Sequence, residues 1–396
     1  MLRNNITLFF LILCFAVSGQ DKALMPYIEF LKKQKTDPVD YVFELFKKYD
    51  IVILGERDHR DTTQYVLIEK IMSDPRFIQN VGHVFTEVGV CNQTDNANRI
   101  LKGDYATEED FTKDLRNLYR NIDWEVIWEK YSYWYFLNSI YWINKNLPPN
   151  EKITLHLTDV SFDWNECQDT ITRREFLQKI NNGPYRDIFM GINIIREFDQ
   201  ILRDSTEHRK KALVILNTRH SYHNYIGVNK NNKFYHLKSA ADYVFDYYTN
   251  RVANVMINWH TLKDNDDLIA DGKWDAAFHF MKNPFVGFNM EGSPFGDDLF
   301  DCLTKPVNNT RYKDIYTGFI FYLPLEDLAP TVGIPNIIME DFNIELKRRE
   351  HISRLVNGLR EGSLNSTINY YNNKRTVSPV NNKEEVILNF KKWMVE

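Results

Sequence analysis

Ile51-Val52-Ile53-Leu54-Gly55-Glu56-Arg57-Asp58-His59 runs four β-favouring apolar residues into a glycine and then into an acid, a base, a second acid and an imidazole. An unbroken apolar run of this length fits a strand covered on both faces of an α/β sheet. Gly55 is expected to allow a sharp exit. The polar side chains beyond it would then lie outside the strand's carboxyl end, where open α/β sheets bind ligands.

The same alternation of short β-type runs and long helical stretches recurs along the chain. Candidate strands are Ile51–Leu54, His83–Glu87, Ile153–Thr158, Ala212–Asn217, Val252–Asn258 and Thr317–Leu323. Helices are expected over 62–72, from Thr107 with Asp110 in a capping-box arrangement, over 171–180 and over 187–202. Trp124, Trp128, Tyr131, Tyr135, Asn138 and Trp142 fall at helical spacing and read as a stripe packed on the sheet. Such alternation implies an α/β fold: a central, mostly parallel sheet with right-handed crossovers, helices on both faces and helical cap insertions. After about residue 265 the pattern loosens. The stretch 283–297 reads as a loop, 341–361 as a charged helix and 372–382 as an exposed polar tail.

Four of these strands end on chemistry. The first is followed by Glu56, Arg57 and His59, the second ends on Glu87 and the third on Asp159, and the fourth exits into Arg219, His220 and His223. In a parallel sheet all carboxyl ends lie on one edge, so these side chains converge. Imidazoles with carboxylates are the equipment for general acid–base work on a bound water, or for holding a metal. Glu56 and Glu87 are candidate orienters of the imidazoles, and Arg57 and Arg219 candidate electrophilic stabilisers. His156, inside a strand, reads as a core histidine.

Composition narrows the class. Aromatic residues make up 14% of 396 positions and the formal net charge is −5, with no dense Lys/Arg block, so a nucleic-acid partner has no electrostatic footprint. Arg3, the apolar run Leu8–Val17 and the small residues Val17-Ser18-Gly19 form an export signal over residues 1–19, too short to span a membrane comfortably. Leu13 precedes Cys14 where a lipoprotein signal wants a small residue. The expected product is an exported chain without stable membrane insertion, one α/β domain over 20–396 with its core at about 45–260. Cys91, Cys167 and Cys302 form neither a disulfide framework nor a zinc spacing; one pair could be bridged.

With these residues in hand, the chain resembles the erythromycin esterase family, within a wider group that includes haem-uptake lipoproteins and TraB/Tiki-type proteins. The family pattern is a strand followed by G-E-x-x-H, a second strand ending in glutamate, and a late strand followed by H-N-x-H. Here these are Gly55-Glu56-Arg57-Asp58-His59, Thr86-Glu87 and His220-Ser221-Tyr222-His223, with Asn98-Arg99-Ile100 and Asp159 at further polar positions. Asp58 and Arg60 flank the first histidine where the family has a small residue or threonine and a glycine, and Ser221 replaces an asparagine. The resemblance implies that His59 is the base that activates water and Glu56 its partner, with Glu87 and His220 completing the site and His223 adjacent. Three functions follow as expectations. The first is an esterase-like hydrolase acting on a small ester-like molecule. The second is a hydrolase dependent on a divalent metal, zinc or manganese, held by Glu56, His59, Glu87, His220 and His223. The third is a non-catalytic haem-binding protein.

Overall fold

The computed structural model describes residues 21–182, 185–228, 234–236, 238–262, 267–303, 309–359, 363–373, 377–380 and 382–394. The export signal expected over 1–19 lies outside the described residues. Among the described residues nine strands form: β1 Ile51–Glu56, β2 His83–Val90, β3 Thr154–Asp159, β4 Ala212–Asn217, β5 Ile226–Val228, β6 Phe234–His236, β7 Val252–Ile257, β8 Val286–Asn289 and β9 Gly318–Phe321. Seven make one sheet in the order β3-β2-β4-β1-β7-β9-β8, and β5 pairs with β6 as a separate antiparallel ribbon. Every pairing in the large sheet is parallel except β8 with β9. The mostly parallel α/β sheet with helices on both faces is thus present, and all six strands expected from the sequence belong to it.

β1 shows why its run is continuously apolar. All six residues are buried, and they alternate between two layers. Val52 and Leu54 join Leu67, Ile68, Phe136 and Leu137 from the helices Thr62–Ser73 and Tyr131–Lys145. Ile51 and Ile53 join Met190, Ile194 and Val244 from the helices Tyr185–Arg203 and Ala240–Tyr248. A strand with both faces covered has no solvent side on which to place a polar residue.

Four readings need correction. The stretch 283–297 is not a loop throughout: Val286–Asn289 forms the antiparallel edge strand β8, and Pro294–Asp297 a helical turn. Val286-Gly287-Phe288-Asn289 is only four residues long with a glycine inside it, too short an alternation to register as a strand. The aromatic stripe is also split. The helix begins at Tyr131, and its buried face carries Tyr133, Phe136, Leu137, Ile140 and Tyr141, while Trp142 is exposed. Trp124 and Trp128 lie in the preceding non-helical segment. The polar tail is partly buried, since Thr331 and Val377 form a β-bridge and Val380 is 1% exposed. Gly55, finally, is no exit point: β1 continues through it to Glu56. A Cβ at Gly55 would stand 2.8 Å from Ser221 Oγ and 3.2 Å from the Val255 carbonyl, so the glycine admits the chain that leaves β4.

The sheet's far edge is closed by side chains. Asn98 accepts from the Leu155 amide at 3.0 Å and donates to its carbonyl at 2.6 Å, which caps β3 where a further strand would pair. Cys91, Cys167 and Cys302 are separate thiols. Among the described residues no helix is long and apolar enough to cross a membrane.

Candidate active site

The carboxyl ends of β1, β2, β3 and β4 bring Glu56, Glu87, Asp159 and the segment after Asn217 to one edge. Beyond Glu56 the chain is fastened before it reaches His59. Gln64 accepts from the Arg57 amide at 2.7 Å and donates to the Asp58 carbonyl at 2.7 Å and to Glu56 at 3.2 Å. Asp61 caps the next helix through the Thr63 and Gln64 amides and pairs with Arg57 at 2.6 Å, both side chains fully buried. These ties fasten the loop that presents His59.

His59 Nδ1 lies 3.0 Å from Glu56 Oε1, which also accepts from the Tyr65 hydroxyl at 2.8 Å. On the other side of the cluster, His220 Nδ1 lies 2.7 Å from Asp187 Oδ1. The two outer nitrogens turn to the same atom: Glu87 Oε1 is 3.8 Å from His59 Nε2 and 3.5 Å from His220 Nε2. Glu87 can face both because β2 bulges. Its pairing with β3 shifts between Thr86 and Val90, and Gly89 takes φ +114°, where a Cβ would meet Leu157 at 2.6 Å. The second Glu87 oxygen accepts from the Asn217 amide at 2.7 Å.

Arg186 binds the cluster together. Its guanidinium donates to Asp159 at 2.8 and 3.0 Å and to Glu87 Oε1 at 3.1 Å, and it lies 3.5 Å from His220 Nε2. Burial opposes its charge, but Asp159 and Glu87 outweigh burial and hold it firmly protonated. Trp124 Nε1 donates to Asp159 at 3.2 Å, and Trp128 meets the His59 ring edge-on at 5.0 Å.

The surplus of carboxylates sets the protonation. Burial pushes the His59 pKa down, yet the charge and hydrogen bond of Glu56, with Glu87 behind them, push it up to about 9. His220 is likewise raised, burial being outweighed by Glu87 and Asp187. Burial would raise Glu87, but His220, Arg186 and His59 bring it down to about 2. Asp123, buried beside this network, is raised to about 7 by burial and by the charge of Asp159.

The structure brings together Glu56, His59, Glu87, Asp159 and His220. It does not bring Arg57, whose guanidinium is sealed against Asp61 and the Tyr322 carbonyl, nor Arg219, which is exposed. His223 is turned away onto Asp242 and Phe245. Arg186, Asp187, Trp124 and Trp128 escaped the sequence reading. The first two look like the polar start of an amphipathic helix, and the tryptophans fit a helical stripe. An Arg-Asp pair opening the helix between β3 and β4 was the available signal.

A divalent metal does not fit this arrangement. The Glu87 oxygen that both imidazoles face is already paired with Arg186, a fixed cation in the place an ion would need. Among the described residues no group of three or more His, Cys, Asp or Glu is arranged to hold one.

No family model matches the chain, and no curated protein does. Solved structures of similar outline include a Bacillus cereus protein (9% identity, 76% of this chain and 97% of that one, TM-score 0.44). A variant of the erythromycin esterase EreC in its open conformation shows 9% identity over 75% of this chain and 95% of that one, with TM-score 0.40. The haem-binding ChaN of Campylobacter jejuni shows 12% identity over 56% of this chain and 88% of that one, with TM-score 0.33. The functional reading therefore rests on the chemistry of the cluster itself.

Proposed function

We propose that this chain is an exported, esterase-like hydrolase in which His59 takes a proton from water as that water attacks the carbonyl of a small ester-like substrate, and returns it to the departing alcohol oxygen as the ester C–O bond breaks. One observation carries the reading: His59 and His220 each engage a carboxylate through Nδ1 and direct Nε2 toward the same Glu87 oxygen. A carboxylate on Nδ1 selects the tautomer whose Nε2 lone pair can accept a proton and stabilises the imidazolium that results. Glu56 fills that role for His59, and Asp187 fills it for His220. Arg186 takes the place of Arg57 and Arg219 as the cation beside developing negative charge.

The roles separate by what each residue touches. His59 is the catalytic base, Glu56 its positioning residue, and His220 with Arg186 the positive partner for an oxyanion. Glu87 keeps the two imidazoles facing one point. Export supplies the setting: cleavage after Gly19 would leave a mature chain starting at Gln20. No nucleic acid or membrane partner enters this reading.

Turnover of an ester panel by His59→Ala and Glu87→Gln proteins tests it. Loss of a general base lowers kcat by about 10²–10⁴-fold, and a chelator is expected to leave the wild-type rate unchanged. Wild-type turnover in both variants would sink the assignment. N-terminal sequencing of exported protein is expected to begin near Gln20; a full-length chain at the membrane would remove export.

A further inference from the structure

His220 and His223 stand three residues apart, and only the first serves the strand-end cluster. The second is built into the molecule with comparable care. Asp242, 2% exposed at its side chain, lies 3.0 Å from His223 Nδ1 and accepts from the Asn224 amide at 2.8 Å and the Ser239 amide at 3.0 Å. The His223 ring stacks on Phe245 at 4.1 Å, with 15° between planes. With Nδ1 turned inward to a buried carboxylate and one face covered by phenyl, Nε2 lies on the outer side of the ring, where the side chain keeps 24% of its exposure.

That outer side borders a cavity of about 610 Å³, walled by Lys48, Tyr49, Asn224, Thr249, Asn250 and other residues. Tyr49 lies two residues before β1, and Thr249 and Asn250 lead into β7, so the cavity opens toward the amino ends of the strands. β1 is six residues long, which puts roughly 17 Å between that end and Glu56. The wall is rich in donors. Lys48 brings a positive charge beside the face of Tyr49 at 5.0 Å, and Asn224 and Asn250 bring amides. The carboxylate on the wall, Asp246, is ion-paired with Lys238. A cavity with a lysine, an imidazole whose Nε2 is left to accept, and a neutralised carboxylate suits a ligand that pairs a negative oxygen with a hydroxyl donor.

We propose that this cavity is a second binding site, for a small molecule that carries a negative oxygen, phosphate or carboxylate, together with a hydroxyl: Lys48 takes the oxygen and His223 Nε2 accepts from the hydroxyl. The site is independent of the hydrolase reading. It assigns to His223 a task that the strand-end cluster does not give it.

Calorimetric titration with inorganic phosphate, whose hydrogen phosphate forms carry a hydroxyl, and, separately, with the hydroxy acid malate tests the proposal on the full mature chain. At least one anion is expected to bind wild type and the His59→Ala variant alike, and about tenfold more weakly to His223→Gln and to Lys48→Ala. The arm that binds tells phosphate from carboxylate. Ring-nitrogen NMR reads the same event without substitution: the His223 Nε2 resonance is expected to move on titration while that of His59 stays. Absence of binding by both anions overturns the proposal. So does binding lost in His59→Ala but intact in His223→Gln and Lys48→Ala, which would assign the anion to the Arg186 cluster.

Discussion

Strands β2 and β3 carry histidines near their starts and carboxylates at their ends, and the two regions treat an imidazole in opposite ways. Near the starts, His83 Nδ1 meets His156 Nε2 at 3.2 Å, and the His156 ring stacks on Phe85 at 4.2 Å. Burial lowers the pKa of His83, with Glu207 only partly compensating, and drives that of His156 well below its usual value. At the ends, the same desolvation acts on His59 and His220 and loses to Glu56, Glu87 and Asp187. Burial alone therefore does not decide how a histidine behaves. The decisive variable is how much carboxylate charge faces the ring: two carboxylates flank each of His59 and His220, whereas His83 has Glu207 at 3.3 Å opposed by Arg209 and Lys102. One region is a neutral core contact; the other is a reservoir of protons.

The largest effect that could break this contrast is the pH dependence of turnover. If His59 is the base, only its neutral form works, and with its pKa near 9 that form is a minority at neutral pH. The expected kcat/KM rises with pH toward a midpoint near 9, and two units below the midpoint it stands roughly 100-fold under the plateau. In Glu56→Gln the main source of the upward shift is gone, so the midpoint is expected to move down. A wild-type midpoint near 6.5, unchanged in Glu56→Gln, would mean that the carboxylate does not control the imidazole.

Next in size is the stability of the cluster. Glu87→Gln keeps the amide contact with Asn217 but leaves two imidazoles and Arg186 without their shared charge. Breaking a buried charge network of this kind costs about 3 kcal/mol, measured here by urea unfolding at neutral pH. The sign with pH is fixed. Glu87 has a folded pKa of about 2 against 4.5 for a free glutamate, so its contribution is complete above 4.5 and is lost as pH falls toward 2. The gap between wild type and variant is expected to close over that window. A gap independent of pH would point to packing instead of charge.

How much of this was legible in the sequence follows from the same physics. β1 could be read because a strand buried on both faces must be apolar throughout, and Glu56 and His59 because polar residues next to such a strand stand out. β8 could not, because Val286-Gly287-Phe288-Asn289 is a short edge strand with little pattern. Arg186 and Asp187 were hidden for a different reason. A polar first turn is what any surface helix shows, and only the path from β3 to β4 turns these two residues toward Glu87 and His220. Asp58 and Arg60, which depart from the esterase pattern, pair with each other at 2.8 Å beside the site, and Arg60 reaches the Pro379 carbonyl at 3.4 Å. Their purpose depends on a segment more than three hundred residues away, beyond the reach of local pattern. The spacing of His220 and His223 was equally ambiguous, since divergence of the two rings is set by Asp187 and Asp242 on separate helices.

The smallest effect tests the other end of the strands. The folded chain keeps His83 and His156 neutral, while the unfolded chain protonates them near pH 6.5. The unfolded state thus gains protons as pH drops below 6.5, and stability falls. Each such histidine contributes a slope of up to about 1.4 kcal/mol per pH unit. His59 and His220 have raised values, so the folded chain already holds their protons while the unfolded chain takes them up near 6.5; their slope runs the other way, but alike in wild type and in a variant distant from them. Asp123 and Asp275, each raised to about 7, do titrate there, but alike in wild type and in a variant distant from them. His156→Phe retains a ring against Phe85, removes one proton acceptor and loses the bond to His83, worth about 1 kcal/mol. At pH 7 the variant is expected to be less stable than wild type by about that amount, and between pH 6.5 and 5 the deficit is expected to shrink or reverse. Parallel stability curves for the two proteins would show that His156 takes up its proton in the folded state, and the contrast between the two ends of these strands would fail.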